Sequence, residues 1–476
     1  MLAEQMTWME YRDKVKHSVV ILPMGSLEQH GQASVALALS FPRLIEQLRQ
    51  VIQDFPDKRT GQNSHYRMEE AALGAFSVFF TQSPSFLAHQ KSMEETKGQN
   101  NARSLFGIQQ IPCDIHIRNL LDEVAPFHVL PVFTYIFDAL KAAGALSSFL
   151  SGFGGLLIAL DGTEYFSSKK LHCPNCSSRQ HQNGSTTYFH SVVTPVVVAP
   201  GQDKVIALEP EFILPQDGHA KQDCETAAGK RWLDQYGARY GSWDATILGD
   251  DLYCHQPMCE RVLSAGCHFL LTCQPHSHPT LYEWLEGLEG CGGIGTLTVQ
   301  RWTGKERQLD TYRYAQQVPL RDGADGLLVN WCELTTTRED GTVLYRNAFA
   351  TDHPITEANV EACVAAGRAR WKVENENNNT LKTQGYHLEH NYGHGQKHLA
   401  ALLATFNILA FLIHTVLELV DEQYRLIRSK LPTRQTFFDD VRALTRYLYF
   451  ASWDGLLDFM MRGLELAVAD GSRGGQ

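Results

Sequence analysis

The run LLIALD, at residues 156–161, is the feature that most constrains how this chain can fold. An unbroken apolar run of this length is typical of a buried central strand, so the carboxylate that ends it, Asp161, lies at the rim of a sheet. Further strand patterns stand in TTYFHSVVTPVVVAP, KVIALEPEFIL, ATILGDD and HFLLTCQ. Helical patterns precede and follow ATILGDD, in DCETAAGKRWLDQYGARY and HQPMCERVLSAG, and Asp223 is the candidate N-cap of the first.

The order of these elements is three strands, a helix, a strand, a helix and a strand. If the first three strands form a meander and the last two add in parallel beside the first, the sheet is ribonuclease-H-like. Asp250, which ends ATILGD, then lies at the same sheet edge as Asp161. We therefore predict an α/β protein: a ribonuclease-H-like mixed sheet flanked by helices, with a β-rich insertion and an N-terminal helical domain.

Composition bounds the class of protein. The chain has 476 residues, 43% hydrophobic and 20% charged, which is typical of a globular protein with two or three domains. Eleven cysteines are an odd number and the N-terminus lacks a secretory pattern. We therefore expect reduced thiols and a cytoplasmic protein. The net charge of −11 argues only mildly against DNA as a partner, because a bulk value does not describe a local groove.

Changes of pattern along the chain predict its division into parts. These are a fragment of separate character at 1–33, a helical domain at 34–150 that either contacts DNA or is a structural cap, a catalytic core at 151–274 and 345–420, a β-rich insertion at 275–344 and a C-terminal helical tail at 421–476. The apolar run Leu399–Val420 is long enough to span a membrane. Polar residues interrupt it and charged segments flank it, so we predict a buried core helix.

Three carboxylates carry the predicted chemistry. Glu374 lies four residues after Arg370 in a long helical pattern, so the two share a helix face. Packed against the sheet, that helix would bring Glu374 to Asp161 and Asp250. Clustered carboxylates repel one another and coexist around cations, and their hard oxygen atoms favour Mg²⁺ or Mn²⁺. Two such ions activate a water or a 3′-hydroxyl and stabilise the leaving oxygen of a phosphodiester.

The sequence also resembles a family. The blocks DGTEYF, ILGDDLY and GRARWKVENENNNTLKTQGYHLEHNYGHG are similar to those of bacterial insertion-sequence DDE transposases with a β-rich insertion before the glutamate. The resemblance covers roughly residues 40 to 420. It implies that Asp161, Asp250 and Glu374 are the catalytic, metal-binding triad, with Asp251 as the alternative second aspartate. It also implies two Mg²⁺ or Mn²⁺ ions.

The same resemblance implies a reaction and partners. The family's signature around the glutamate is Tyr-x2-Arg-x3-Glu-x6-Lys; Arg370 matches the arginine, Gly367 replaces the tyrosine and Lys382 lies one position late. Arg370 and Lys382 are thus the implied DNA contacts. The implied activity is cutting at terminal inverted repeats and joining of the freed 3′-hydroxyl to target DNA, by a dimer on DNA. Trp331 is a candidate for stacking on a flipped base, although a buried core tryptophan is the favoured interpretation.

Cysteines and histidines form further candidate sites. Cys173 and Cys176 have the spacing of a zinc knuckle, but no second Cys-x2-Cys follows, and His181 or His190 would have to complete a site. Four histidines, His387, His390, His394 and His398, stand near Lys397. This group favours phosphate contact over metal binding, with solvated surface histidines as the alternative.

The N-terminus raises two other functions. LPMGSLEQHGQ is similar to the N-terminal metal-binding block of the creatininase (creatinine amidohydrolase) family, with Glu28 and His30 as the ligands. The block ends at Gln32 and no later segment restores the missing ligands, so amidohydrolase activity is disfavoured and we expect no metal there. The remaining alternative is a chimeric transposon-end binder without catalysis, which the presence of all three acids disfavours.

Overall fold

This computed structural model describes residues 37–59, 66–94, 100–153, 155–215 and 223–467. The predicted creatininase-like fragment, with Glu28 and His30, lies outside these residues.

Helices precede the first strand, as the 3.6-residue patterns predict. They are α1 (Phe41–Ile52), α2 (Met68–Phe80), α3 (Phe86–Glu94), α4 (Asn101–Phe106), α5 (Asp114–Leu121) and α6 (Leu130–Ala142), with 3₁₀ turns at Pro126–His128 and Ala145–Phe149. In α1 the buried side chains recur every three or four residues, from Phe41 to Ile52, so one face of the helix points to the core. Pro42 stands in its first turn, where a missing N–H costs nothing.

The central sheet has nine strands. Its order is β10-β11-β12-β13-β9-β8-β1-β5-β6. Strands β1 (Leu157–Ala159), β8 (Thr246–Gly249) and β9 (His268–Thr272) are parallel to one another. On the other side of β1, β5 (Val196–Val198) and β6 (Ile206–Ala207) add as an antiparallel meander. This is the predicted ribonuclease-H-like arrangement: a three-stranded meander with two parallel strands beside its first member.

The chain also forms a second sheet, which the sequence did not predict. It comprises β2 (Gly162–Ser168), β3 (Ser177–Gln180) and β4 (Thr186–Val193), which lie between β1 and β5 along the chain, and β7 (Glu211–Ile213), which follows β6. The two long apolar runs taken for single strands are therefore each divided between the sheets, at Pro195 and Pro210. Proline has no N–H for the strand ladder, so the chain leaves one sheet there and enters the other.

The predicted β-rich insertion extends the central sheet. After the helix α10 (Pro279–Gly290) come β10 (Gly295–Trp302), β11 (Arg307–Pro319), β12 (Leu328–Arg338) and β13 (Val343–Thr351), each antiparallel to the one before. The last of them, β13, pairs with β9, so the insertion continues the core sheet outward. Further helices flank the sheet: α7 (Glu225–Trp232), α8 (Ala238–Gly241), α9 (Gln256–Ser264), α11 (Val360–Arg368) and α12 (Asn379–Thr383).

The predicted N-cap of α7 is wrong. The helix begins at Glu225 with Cys224 as its N-cap, and the Asp223 carboxylate instead forms an ion pair with Arg231 at 2.8 Å. The charged guanidinium outcompetes the helix N-terminus for this carboxylate.

The remaining helices enclose the long apolar helix α13 (Leu399–Val420). They are α14 (Glu422–Lys430), α15 (Arg434–Tyr447) and α16 (Trp453–Gly463). Among the described residues, α13 is the one continuous helix long and apolar enough to cross a membrane, but 89% of its most apolar window is buried inside the protein. The prediction of a core helix is confirmed. The Asn101 side chain donates to the carbonyls of Thr445 and Leu448, which ties the C-terminal helices to the N-terminal ones.

Candidate active site

Asp161 and Asp250 follow adjacent parallel strands in register. Ala159 of β1 pairs with Leu248 of β8, and two residues further on the same register sets Asp161 opposite Asp250. Neighbouring strands are about 4.8 Å apart, and paired residues project to the same face. The two carboxylates are therefore neighbours at the carboxyl edge of the sheet, as the sequence predicts.

Glu374 approaches this edge from a helical segment. It lies in a π-helical turn, Val373–Asn378, that follows α11. Such wide turns are rare and occur frequently at functional sites. Arg370 donates from Nη1 to Glu374 Oε1 at 3.0 Å, which confirms that the two side chains share a face. The Arg370 side chain is 7% exposed, so its guanidinium is an internal counter-ion of the carboxylates and is not open to a DNA phosphate in this structure.

The Asp161 side chain is held by an asparagine that sequence reasoning left unassigned. Asn378, on the π-helical turn, donates from Nδ2 to Asp161 Oδ2 at 2.7 Å. Thr194 in turn donates from its hydroxyl to Asn378 Oδ1 at 2.9 Å, and its backbone N–H donates to the Asp161 carbonyl. Asn378 is buried and fixes Asp161 relative to the helical segment that carries Glu374.

A fourth carboxylate, Glu225, also belongs to the site. It is the first residue of α7, and its Oε1 accepts the Gly162 N–H at 2.9 Å. Burial, together with the negative charge of Glu225, raises the pKa of the Tyr253 hydroxyl well above its usual value. No sequence signal marked Glu225, because an acidic residue in the first turn of a helix is common for reasons of the helix dipole alone.

The burial and closeness of these acids raise the pKa values of two of them. Burial, and then the charges of Glu225, Glu374 and Asp250, raise the pKa of Asp161 to about 7 against the opposing effect of Arg370. Burial also raises the pKa of Glu225. Four carboxylates face one guanidinium, so the site carries excess negative charge that a bound cation would relieve.

The donor set fits a hard divalent metal. Each acid offers carboxylate oxygens. In Asp250, Oδ1 accepts the Leu252 N–H, and Oδ2 takes no part in this bond. In the described part of the chain, the groups whose ligand atoms already lie within 4.8 Å of one another do not include this cluster. Oxygen ligands of this kind suit a hard divalent cation.

The structure distinguishes Asp250 from its neighbour Asp251. The Asp251 carboxylate accepts the Gln274 N–H at 2.7 Å and the Ser277 hydroxyl, and lies 3.4 Å from His278 Nε2. These bonds commit Asp251 to the loop after β9. Asp250, by contrast, is among the charges that raise the pKa of Asp161.

Two further predicted DNA contacts have different environments. Lys382, on α12, forms an ion pair with Glu389 at 3.1 Å and is partly exposed. Trp331, on β12, is 1% exposed and packs edge-on against Tyr282. No face of its ring is open to a flipped base in this structure, which favours the interpretation as a core tryptophan over base stacking.

The cysteine pair finds partners that the sequence indicated only in part. Cys173 and Cys176 lie beside His190 and His394, all four ligand atoms within 4.8 Å of one another. His181, the other candidate, instead hydrogen-bonds to Thr187. His394 comes from the histidine group predicted to contact phosphate, and it is turned inward to the sulfur atoms. The fourth member of the cluster, His394, lies 218 residues after Cys176, so no local spacing could reveal it.

Comparisons with known proteins give a distant structural likeness. No protein-family model matches the chain, and no curated protein matches it. Among solved structures, the chain is similar to one described as the cryo-EM structure of a piggyBac transposase synaptic complex with hairpin DNA. The identity is 10%, the match covers 92% of this chain and 82% of that chain, and the TM-score is 0.36. So distant a likeness assigns neither a family nor a function.

Proposed function

We propose that this chain is a DDE transposase that cuts DNA at the ends of an insertion sequence and joins them to target DNA. The observation that carries the proposal is the meeting of Asp161 and Asp250, at the ends of two parallel strands in register, with Glu374 from a helix. This arrangement, on a ribonuclease-H-like sheet, matches what the resemblance of the sequence blocks implies. Divalent ions bound there, two Mg²⁺ or Mn²⁺, would supply an activated water or 3′-hydroxyl and a stabilised leaving oxygen.

The residues of the chain then have separable roles. Asp161, Asp250 and Glu374 offer the oxygen ligands. Asn378 holds the Asp161 carboxylate in one orientation by its hydrogen bond to Oδ2. Arg370 neutralises part of the charge and keeps Glu374 directed along the helix face. No protein–DNA covalent bond is needed, because the nucleophile is a water or a DNA hydroxyl.

The partners follow from this activity. The proposed substrates are the terminal inverted repeats of the element and a target DNA, and cutting of paired ends requires a dimer on DNA. Lys382, partly exposed beyond the π-helical turn, is the proposed phosphate contact near the site. Arg370 has no such role in our proposal, because it is buried against Glu374.

The test is strand cleavage of the element's terminal inverted repeats with Mg²⁺. We expect Asp161→Ala to reduce cleavage on the order of 10³-fold or more, since removing a metal ligand removes several kcal/mol of transition-state stabilisation. Asp203→Ala is the matched control, because the Asp203 side chain is 76% exposed and its ion pair is with the adjacent residue Lys204. Gel-shift binding of the same DNA should be retained by both variants. Equal cleavage by Asp161→Ala and the parent would refute the triad.

A further inference from the structure

We propose that Cys173, Cys176, His190 and His394 bind one structural zinc ion. The four residues come from three separate segments: Cys173 and Cys176 from the turn before β3, His190 from β4, and His394 from the loop that precedes α13. Their ligand atoms meet in one place, and three of the four residues are buried. Two cysteine sulfurs and two imidazole nitrogens are the donor set of many structural zinc sites.

Four of the six distances between ligand atoms agree with a tetrahedron around zinc. Cys173 Sγ and Cys176 Sγ are 3.8 Å apart. His190 Nε2 lies 3.5 Å from Cys173 Sγ and 3.4 Å from Cys176 Sγ, and His394 Nε2 lies 3.5 Å from Cys176 Sγ. Zinc–sulfur bonds of about 2.3 Å and zinc–nitrogen bonds of about 2.0–2.1 Å at tetrahedral angles give edges of roughly 3.8 Å between sulfurs and roughly 3.5 Å between sulfur and nitrogen. The other two distances lie within 4.8 Å.

The surroundings of the cluster are also those of a structural metal site. The ring of Tyr165 stacks on His190 at 5.6 Å between centroids, and Phe166 lies 4.4 Å from His394 in the same measure. The Cys173 N–H donates to Cys176 Sγ at 3.4 Å, a bond that stabilises a thiolate. Aromatic cover excludes water, and four protein ligands leave no open position, so the ion would not be catalytic.

The zinc ion would hold in place the loop between α12 and α13, which follows the helical segment that carries Glu374. His394 stands between α12 and α13, and the same loop is fixed further on by Asp122, whose carboxylate accepts the N–H groups of Lys397 and Leu399. On the other side, β4 pairs with β2, which begins directly after Asp161. A zinc ion would thus link the strand that leaves Asp161 to the segment that leaves Glu374, two parts of the chain far apart in sequence.

Binding converts both thiols to thiolates. Each S–H bond is replaced by a sulfur–zinc bond, and the two protons go to solvent, so no oxidant or reductant takes part. The histidines bind as neutral imidazoles through Nε2. The soft sulfur donors favour zinc over the Mg²⁺ or Mn²⁺ proposed for the carboxylates.

The experiment measures metal in the full chain, purified under reducing conditions and dialysed against a chelating resin. Elemental analysis should find about one zinc per chain. Cys176→Ser, His190→Ala and His394→Ala should each lower zinc content about tenfold or more, in line with the loss of a ligand. His181→Ala, a nearby histidine outside the cluster, and Cys254→Ser, from another group of clustered ligand atoms, should keep it. A folded parent without zinc, or full zinc content in His394→Ala, would overturn the proposal.

Cobalt provides a second measurement that does not depend on unstable variants. The parent and Cys254→Ser, refolded or exchanged with Co²⁺, should both show the intense visible absorption of a tetrahedral ion and thiolate-to-cobalt charge transfer. An octahedral spectrum, or a Cys173–Cys176 disulfide with no bound metal, contradicts the site. DNA cleavage is not part of this readout, and Asp161→Ala should retain its zinc. Failure of the transposase proposal would therefore leave the zinc result unchanged, and the reverse.

Discussion

The carboxylate cluster and the cysteine–histidine cluster differ in how their ligand atoms stand without an ion. The four ligand atoms of Cys173, Cys176, His190 and His394 lie within 4.8 Å of one another, whereas the acids around Asp161 are held further apart. Thiols and imidazoles can be neutral and can hydrogen-bond to one another, so they assemble without a metal. Ionised carboxylates repel, and burial together with this repulsion raises the pKa of Asp161 to about 7.

This difference implies that the two sites have different functions, one structural and one catalytic. A preassembled, covered site suits an ion that stays and holds the fold together. A repelling oxygen cluster at a sheet edge suits ions that exchange with solvent and take part in chemistry. The two sites are connected through β2 and β4, so the comparison can be tested from either side.

The largest expected effect distinguishes two neighbouring aspartates. Asp250→Asn should reduce Mg²⁺-dependent cleavage on the order of 10³-fold, because it removes a charged ligand opposite Asp161. Asp251→Asn should stay within a few-fold of the parent, since an amide oxygen can still accept the Gln274 N–H. Cleavage assays with both variants, and zinc analysis as a check of folding, decide this. Greater loss in Asp251→Asn would move the second ligand to that residue.

The next effect is the pH dependence of stability without metal. Asp161 has a pKa near 7 in the folded protein against an ordinary value of 3.8, so between these pH values the folded protein keeps a proton that the unfolded chain has lost. The contribution of Asp161 to the free energy of unfolding must therefore fall as pH rises from about 4 to about 7 and then level off, by up to about 4 kcal/mol.

Urea unfolding in a chelator buffer at a series of pH values measures this slope. The difference between the parent and Asp161→Asn should show this fall, because the amide does not ionise. The raised pKa of Glu225 acts in the same direction in both proteins, and the lowered pKa values of the buried His89 and His414 act in the opposite direction in both. An unchanged slope in Asp161→Asn would show that Asp161 is not the crowded acid, and would weaken the contrast with the cysteine–histidine cluster.

A smaller effect is expected from the residue that positions Asp161. Asn378→Ala removes the hydrogen bond to Asp161 Oδ2 and should lower Mg²⁺ affinity or cleavage about 10- to 100-fold, as is typical for partners of metal ligands. Asn375→Ala is the matched control, because Asn375 is an exposed asparagine on the same turn. Titration of cleavage against Mg²⁺ separates weaker metal binding from a lower maximal rate. Equal effects of the two variants would remove Asn378 from the site.

The smallest effect concerns the insertion, which contributes to neither cluster. Trp331→Phe should leave cleavage per folded protein unchanged, and lower the free energy of unfolding by roughly 1–2 kcal/mol because a buried ring becomes smaller. Cleavage and thermal unfolding are measured on the same preparation. A loss of cleavage of tenfold or more, the size expected of a base-stacking contact, would restore the stacking role to this tryptophan.

Much of the central sheet was predictable, because its signals are local. LLIALD and ATILGDD are apolar runs that end in acids, and parallel strands bring their carboxyl ends to one edge. The helix-face relation of Arg370 and Glu374 follows from 3.6-residue periodicity and is present in the structure. The second sheet was missed although Pro195 and Pro210 mark both crossings, because the apolar runs around them continue without a turn pattern.

The sequence by itself determined the candidate acids Asp161, Asp250 and Glu374, and the order of strands that can bring them together. Only the tertiary structure decided which other groups join them: Glu225 and Asn378 in the carboxylate cluster, and His394 beside the cysteines. The physical reason is the separation along the chain between the residues that interact. Periodicity and strand patterns reflect contacts within a few residues, whereas a hydrogen bond between Asn378 and Asp161 depends on how a helix packs on a sheet 217 residues away in the chain.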